Sequence, residues 1–166
     1  MLPYLIGAAT LTLLLFEMAR ASAVPPKPLW LRMVLGAPFV IVAALSLFVA
    51  AQAPHGRKPF SVDFSVARED LARSMTKVAH LRSIAVIFLL AVLAFGTRRL
   101  ILAFAMTMLV GVGWELAEAT VVRHYARLAD LAPNLVSGLL SLAAIAGIRW
   151  IFEQRQRRRL LAQDGP

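Results

Sequence analysis

Two carboxylates stand three residues apart near the end of an apolar run, Glu115 and Glu118, a spacing that puts both on one helix face about one turn apart. Asp130 and Asn134, four residues apart at the start of the next apolar run, share a face in the same way. His80 precedes a third apolar run, and Arg123 and Arg127 lie between Glu118 and Asp130. Ionisable groups within membrane segments are costly and rare, so each is a functional candidate by default. His80, Glu115, Glu118, Arg123, Arg127, Asp130 and Asn134 are therefore the candidate pocket residues. Three chemistries fit them. Arginines and facing carboxylates can hold a zwitterionic or phosphate-bearing headgroup through forked hydrogen bonds. His80, Glu115, Glu118 and Asp130 can ligate a cation or supply a general base. The same groups can also simply neutralise one another, Glu118 with Arg123 or Arg82 and Asp130 with Arg127, leaving Asn134 as an interhelical hydrogen bond.

The elements that must position these residues follow from composition. Of 166 residues 60% are hydrophobic and 16% charged, with 18 Lys and Arg against 9 Asp and Glu. Soluble domains average about 45–50% apolar and about 25% charged residues, so a water-soluble globule is excluded, as is disorder. There is no cysteine, which removes disulfides and thiolate chemistry. The net charge of +9 reads as bases flanking membrane helices rather than as a nucleic-acid surface. Five segments are long and apolar enough to span, or nearly so: Leu2–Ala19, Met33–Ala53, Ser83–Thr97, Leu100–Val122 and Leu131–Ile151. The third is short, which predicts a helix beginning before Arg82. The expected fold is an all-α polytopic integral membrane helical bundle of about five transmembrane helices.

The expected organisation is two N-terminal spans (1–53), a loop with an amphipathic helix (54–77), a three-helix core (78–152) and a basic tail (153–166). In the loop, Val66, Leu71, Met75 and Val78 recur at helical spacing and Glu69 and Arg73 form a potential i,i+4 pair. His55, Arg57, Lys58 and Phe60 read as interfacial anchors, and Trp30, Trp114 and Trp150 as indoles at span ends. Trp114 is also a candidate floor for the pocket. Gly111, Gly113 and the Ala143/Gly147 pair read as places of close helix approach. Glu17 pairs in this reading with Arg20 or Arg32. The first segment lacks the basic n-region of a secretory signal, since residues 1–16 contain no Lys or Arg, so it reads as a retained span. With the N-terminus outside, Arg20, Lys27, Arg32, Arg98, Arg99, Arg149, Arg155, Arg157, Arg158 and Arg159 fall in the cytoplasm, ten bases against eight outside. Local density near the first span and the Arg157-Arg158-Arg159 tail support this orientation. The outer side then holds six of the nine acids: Asp63, Glu69, Asp70, Glu115, Glu118 and Asp130.

The stretch 77–138 resembles the VanZ-like family, membrane proteins named for a teicoplanin-resistance determinant. Lys77-Val78-Ala79-His80 fits that family's Lys-x-x-His entry to one helix. Trp114-Glu115-Leu116-Ala117-Glu118 occupies its Asp-Glu-x-x-Gln block, keeping Glu115 but with Trp114 for Asp and Glu118 for Gln. Asp130-Leu131-Ala132-Pro133-Asn134 fits its Asp-x-x-x-Asn, with Gly138 one residue from the commonest glycine place. His124 stands where the family has a loop arginine, with Arg123 or Arg127 as substitutes. The resemblance implies a multi-pass protein of a bacterial cell membrane that contributes to teicoplanin tolerance at the outer face of the envelope, and it implies no reaction. The expected partners are the lipid bilayer and a lipid or cell-wall-precursor headgroup, with no nucleic acid, no cofactor and no metal. A helper subunit and a small-solute transporter are the alternatives, although neither internal repeats nor broken helices are evident.

Overall fold

Four helices long and apolar enough to cross a bilayer dominate the computed structural model, which describes residues 28–163 except Tyr125, together with Ala9 and Thr12. The first expected span, with Glu17, Arg20 and Lys27, lies outside the described residues. The long helices are α1 (Leu29–Ala50), α3 (Val78–Phe95), α4 (Leu100–Glu118) and α5 (Leu131–Gln163), and a short helix, α2 (Arg68–Met75), precedes α3. The chain is an all-α, multi-pass membrane protein.

Local chemistry sets most of the boundaries. Pro28, whose missing N–H would be an orphan at a helix start, stands immediately before α1. Pro38 lies inside α1, a tolerated position because neighbouring helices in a membrane can satisfy the freed carbonyl. Gly96, at φ 86°, ends α3, and the 3-10 turn Thr97–Arg99 reverses the chain into α4. Helix α3 begins at Val78, ahead of Arg82, as its shortness in sequence required. Helix α4 stops at Glu118 rather than running to Val122, because the chain turns sharply through Arg123, at φ 68°. The last helix does not end near Ile151. It carries the basic tail as a continuous helix of 33 residues, about 50 Å at 1.5 Å per residue, well beyond the roughly 30 Å hydrocarbon core.

Helices α3 and α4 form the central antiparallel hairpin, with α1 and α5 each packing against both. Their shared core contains Phe39, Ala43, Ile87, Phe88, Ala91, Phe95, Ala103 and Val110, with Phe39 and Phe95 edge to face at 5.8 Å. The outer faces are equally apolar: Ile41, Leu45 and Phe48 on α1, Leu89 and Leu93 on α3, and Leu140 and Ile148 on α5 are all exposed. In water this would be a large liability, and in lipid it is the expected surface. Small residues admit close approach at only some of the expected places. A Cβ on Gly138 would meet Met108 Cε at 2.7 Å and Phe104 Cε2 at 2.9 Å, and one on Gly111 would meet Asn134 Nδ2 at 3.1 Å. Gly147 faces open space, so among the described residues the Ala143/Gly147 pair packs against no other helix.

The amphipathic helix expected between the second and third spans is short. Helix α2 spans only Arg68–Met75, leaving Val66 outside it, and residues 51–67 fold across the turn that follows α4. Arg57 donates to Ala51 O at 2.9 Å and Thr120 Oγ1 at 3.2 Å, and Lys58 Nζ donates to His124 O at 2.7 Å. Backbone hydrogen bonds from Lys58 to Thr120 and from Ser61 to Ala119 complete the clamp. Two short strands, β1 (Val62–Asp63) and β2 (Ala126–Arg127), then pair in parallel. Beside this pair the Ser65 N–H donates to Asp63 at 2.9 Å and holds that carboxyl below its usual range. Arg57 and Lys58, expected as interfacial anchors, thus tie two loops together.

Candidate functional site

The clamp closes over one end of the bundle, where α4 finishes and α3 and α5 begin. Antiparallel packing brings His80, Glu115 and the Asp130 region to one level, as the sequence placement required. His80 Nδ1 is 3.9 Å from Glu115 Oε1, too far for a hydrogen bond, and the His80 ring lies 5.6 Å from that of Trp114. Glu115 is 5% exposed, and neither carboxylate oxygen meets a hydrogen-bond donor. It lies within electrostatic reach of Glu118, Asp130 and Lys77. One turn deeper, the buried Asn134 side chain rests against Gly111, and its Oδ1 is also without a donor. Ser137 closes the layer by donating to Leu81 O at 2.6 Å.

The other candidates line a cavity above this level. It has a volume of about 240 Å³ and is bounded by Arg73, Ser74, Lys77, Glu118, Arg123, His124, Arg127 and Asp130. Of the seven candidates, Glu118, Arg123, Arg127 and Asp130 reach it, whereas His80, Glu115 and Asn134 do not. Its acids are already engaged. Asp130, 4% exposed, accepts from Ser74 Oγ at 2.6 Å and pairs with Lys77 Nζ at 2.7 Å. Glu118 accepts from Trp114 Nε1 at 2.7 Å, and its other oxygen is 3.4 Å from His124 Nδ1. Arg127 pairs with Asp70 at 3.1 Å.

These pairings differ from the expected ones. Asp130 takes Lys77 rather than Arg127, Glu118 takes His124 and Trp114 rather than an arginine, and no Glu69–Arg73 pair forms. The reason is placement. Helix α2 turns Arg73 and Ser74 toward α5, so Ser74 meets Asp130 across 56 residues of sequence, and Arg73 joins the cavity wall instead of pairing along its own helix. Trp114 holds Glu118 in place rather than flooring the cavity. Because His80 faces Glu115 while Asp130 and Glu118 are held elsewhere, the four groups do not converge as one ligand set. Among the described residues no three His, Asp or Glu side chains are arranged to hold a metal.

Four cationic side chains, Arg73, Lys77, Arg123 and Arg127, thus line the cavity against two carboxylates, with Asp70 offsetting Arg127 from outside it. The guanidinium groups of Arg73 and Arg123 have no partner among the described residues. No family model, no curated protein and no solved structure matches this chain. The site therefore has to be read from its own chemistry. Arg73, Ser74, Lys77 and His124 are the cavity residues missed as site candidates by type and spacing. Lys77 and His124 carried a signal through the motif order, Arg73 was assigned to a helix-stabilising pair, and Ser74 carried no signal.

Proposed function

We propose that the chain is a VanZ-like protein of a bacterial cell membrane whose cavity, at the extracytoplasmic end of the bundle, holds the anionic headgroup of a lipid or cell-wall precursor. The observation that carries this reading is the pair of guanidiniums, Arg73 and Arg123, without a partner among the described residues, on a cavity whose carboxylates are already satisfied. Guanidinium forks match phosphate oxygens bidentately, and the neighbouring Lys77 and Arg127 add charge. Arg123 holds a backbone conformation, φ 68°, that costs a non-glycine residue roughly 1–2 kcal/mol. Keeping an arginine there is intelligible if its side chain is needed in the cavity.

The motif resemblance adds a role in tolerance to teicoplanin-type antibiotics, exercised by occupying or altering envelope headgroups. The clamp, the short strands and the cavity then all face outward, the N-terminus is outside and the α5 extension is cytoplasmic. There its arginines attract anionic lipid.

Titration of the detergent-solubilised protein with inorganic phosphate tests the binding. A ligand at ten times its Kd stabilises by about 1.4 kcal/mol, visible as a thermal shift. That shift is expected in the parent protein and absent from Arg73→Gln/Arg123→Gln, and an undiminished shift in the double variant overturns the reading. The absence of cysteine makes orientation directly measurable, because Ser65→Cys in the exposed loop labels without background. Labelling by an impermeant reagent from the cytoplasmic side only would reverse the assigned topology.

A further inference from the structure

Arg127 belongs to two cavities. Besides the basic one, it borders an apolar slot of about 160 Å³ walled by Val62, Phe64, Val112, Leu116, Leu128 and Leu131. No polar atom faces the interior of that slot, although Glu115 and Arg127 contribute to its wall. The walls come from β1 and the residues after it, from α4, and from the turn leading into α5. The two cavities are neighbours along two stretches of chain: in 115–118, Glu115 and Leu116 border the slot while Glu118 borders the basic cavity, and in 127–131, Leu128 and Leu131 flank Asp130 while Arg127 borders both. Phe64, 75% exposed, and Leu128, 42% exposed, carry the slot to the molecular surface, where Phe60 and Val66 are exposed as well.

From this juxtaposition we infer that the slot receives a hydrocarbon chain of the same molecule whose phosphate enters the basic cavity, so that the ligand is an anionic phospholipid rather than a free phosphate. The inference rests on the headgroup reading for its polar half. Its apolar half is independent, because an oxygen-free slot next to an arginine-lined cavity matches the join between a lipid's phosphate and its chains. Asp70 positions the Arg127 guanidinium at that join. Relative to bulk hydrocarbon a chain in the slot gains only packing, so within a bilayer the slot contributes orientation and selectivity. Relative to water each buried methylene is worth about 0.8 kcal/mol, so two methylenes correspond to a factor of about fifteen in affinity.

The test compares three probes on the detergent-purified protein at constant micelle concentration: inorganic phosphate, dioctanoyl phosphatidic acid and dioctanoyl phosphatidylcholine. The parent protein is expected to bind the phosphatidic acid at least about tenfold more tightly than either of the others. Val112→Trp, which fills the slot, is expected to remove that preference while inorganic phosphate binds as before. Leu128→Ser, at the exposed wall, is expected to reduce the preference in part and guards against misfolding of the larger substitution. Equal affinity for phosphate and phosphatidic acid, or a preference that survives both substitutions, overturns the slot and leaves the headgroup reading standing. Equal affinity for the two lipids overturns the charge requirement, and binding of none of the three overturns the headgroup reading itself.

Discussion

Replacing Lys77 by Met leaves the Asp130 carboxylate buried with one hydrogen bond from Ser74 and no counter-charge. At 2.7 Å and an effective dielectric near 20, the lost attraction is roughly 6 kcal/mol before solvation is counted. Much of that is offset by the cost of desolvating both ions, and breaking a fully buried pair by removing one partner costs about 3–5 kcal/mol. Here the Lys77 side chain is 39% exposed and Asp130's is 5% exposed, so water enters the vacated space and screens part of the remainder. The expected destabilisation is about 2 kcal/mol. Lys77→Met/Asp130→Asn removes the stranded charge and keeps an acceptor for the Ser74 hydroxyl, so the double variant is expected to recover about half of the loss. The assay is reversible unfolding in mixed micelles for the parent, both single variants and the double. A coupling of about 1 kcal/mol or more ties α2, α3 and α5 together through this pair. Additive effects within about 0.3 kcal/mol would refute the reasoning and make the pair a surface contact.

Arg123→Gly relieves the positive-φ backbone at 68° and is expected to raise stability by about 1 kcal/mol while weakening phosphate binding, a divergence that unfolding and titration together detect. Glu115→Gln replaces a buried carboxylate, whose two oxygens meet no donor among the described residues, by a neutral group of the same shape. It is expected to leave insertion intact and to stabilise the bundle by about 1 kcal/mol, and a loss of more than that would mean that the carboxylate has a partner in the membrane. Gly138→Ala presses on the ends of Met108 and Phe104 and is expected to cost about 1 kcal/mol, whereas Gly138→Leu, which must separate α4 from α5, should cost about 3 kcal/mol in the same unfolding assay.

The sequence by itself determined the solvent and the depth of its polar residues. Runs such as Met33–Ala53 and Leu100–Val122 can satisfy their backbone in hydrocarbon only as helices, so element type followed from composition. The four-residue link between α3 and α4, residues 96–99, forced an antiparallel hairpin, which put His80 level with Glu115. Boundaries were less legible where loops took over. The end of α4 depends on residues 51–67 gripping Thr120 and His124, and that contact has no periodicity to betray it. Charge pairing was decided only by tertiary structure. Several cations stood within plausible reach of each acid, and Coulomb attraction at similar distances does not choose among them. Helix α2 turned Ser74, and the turn into α3 turned Lys77, onto Asp130, while Arg73 and Arg123 were left to line a cavity. Which cation Asp130 would take depended on where α2 and the turn into α3 meet the bundle.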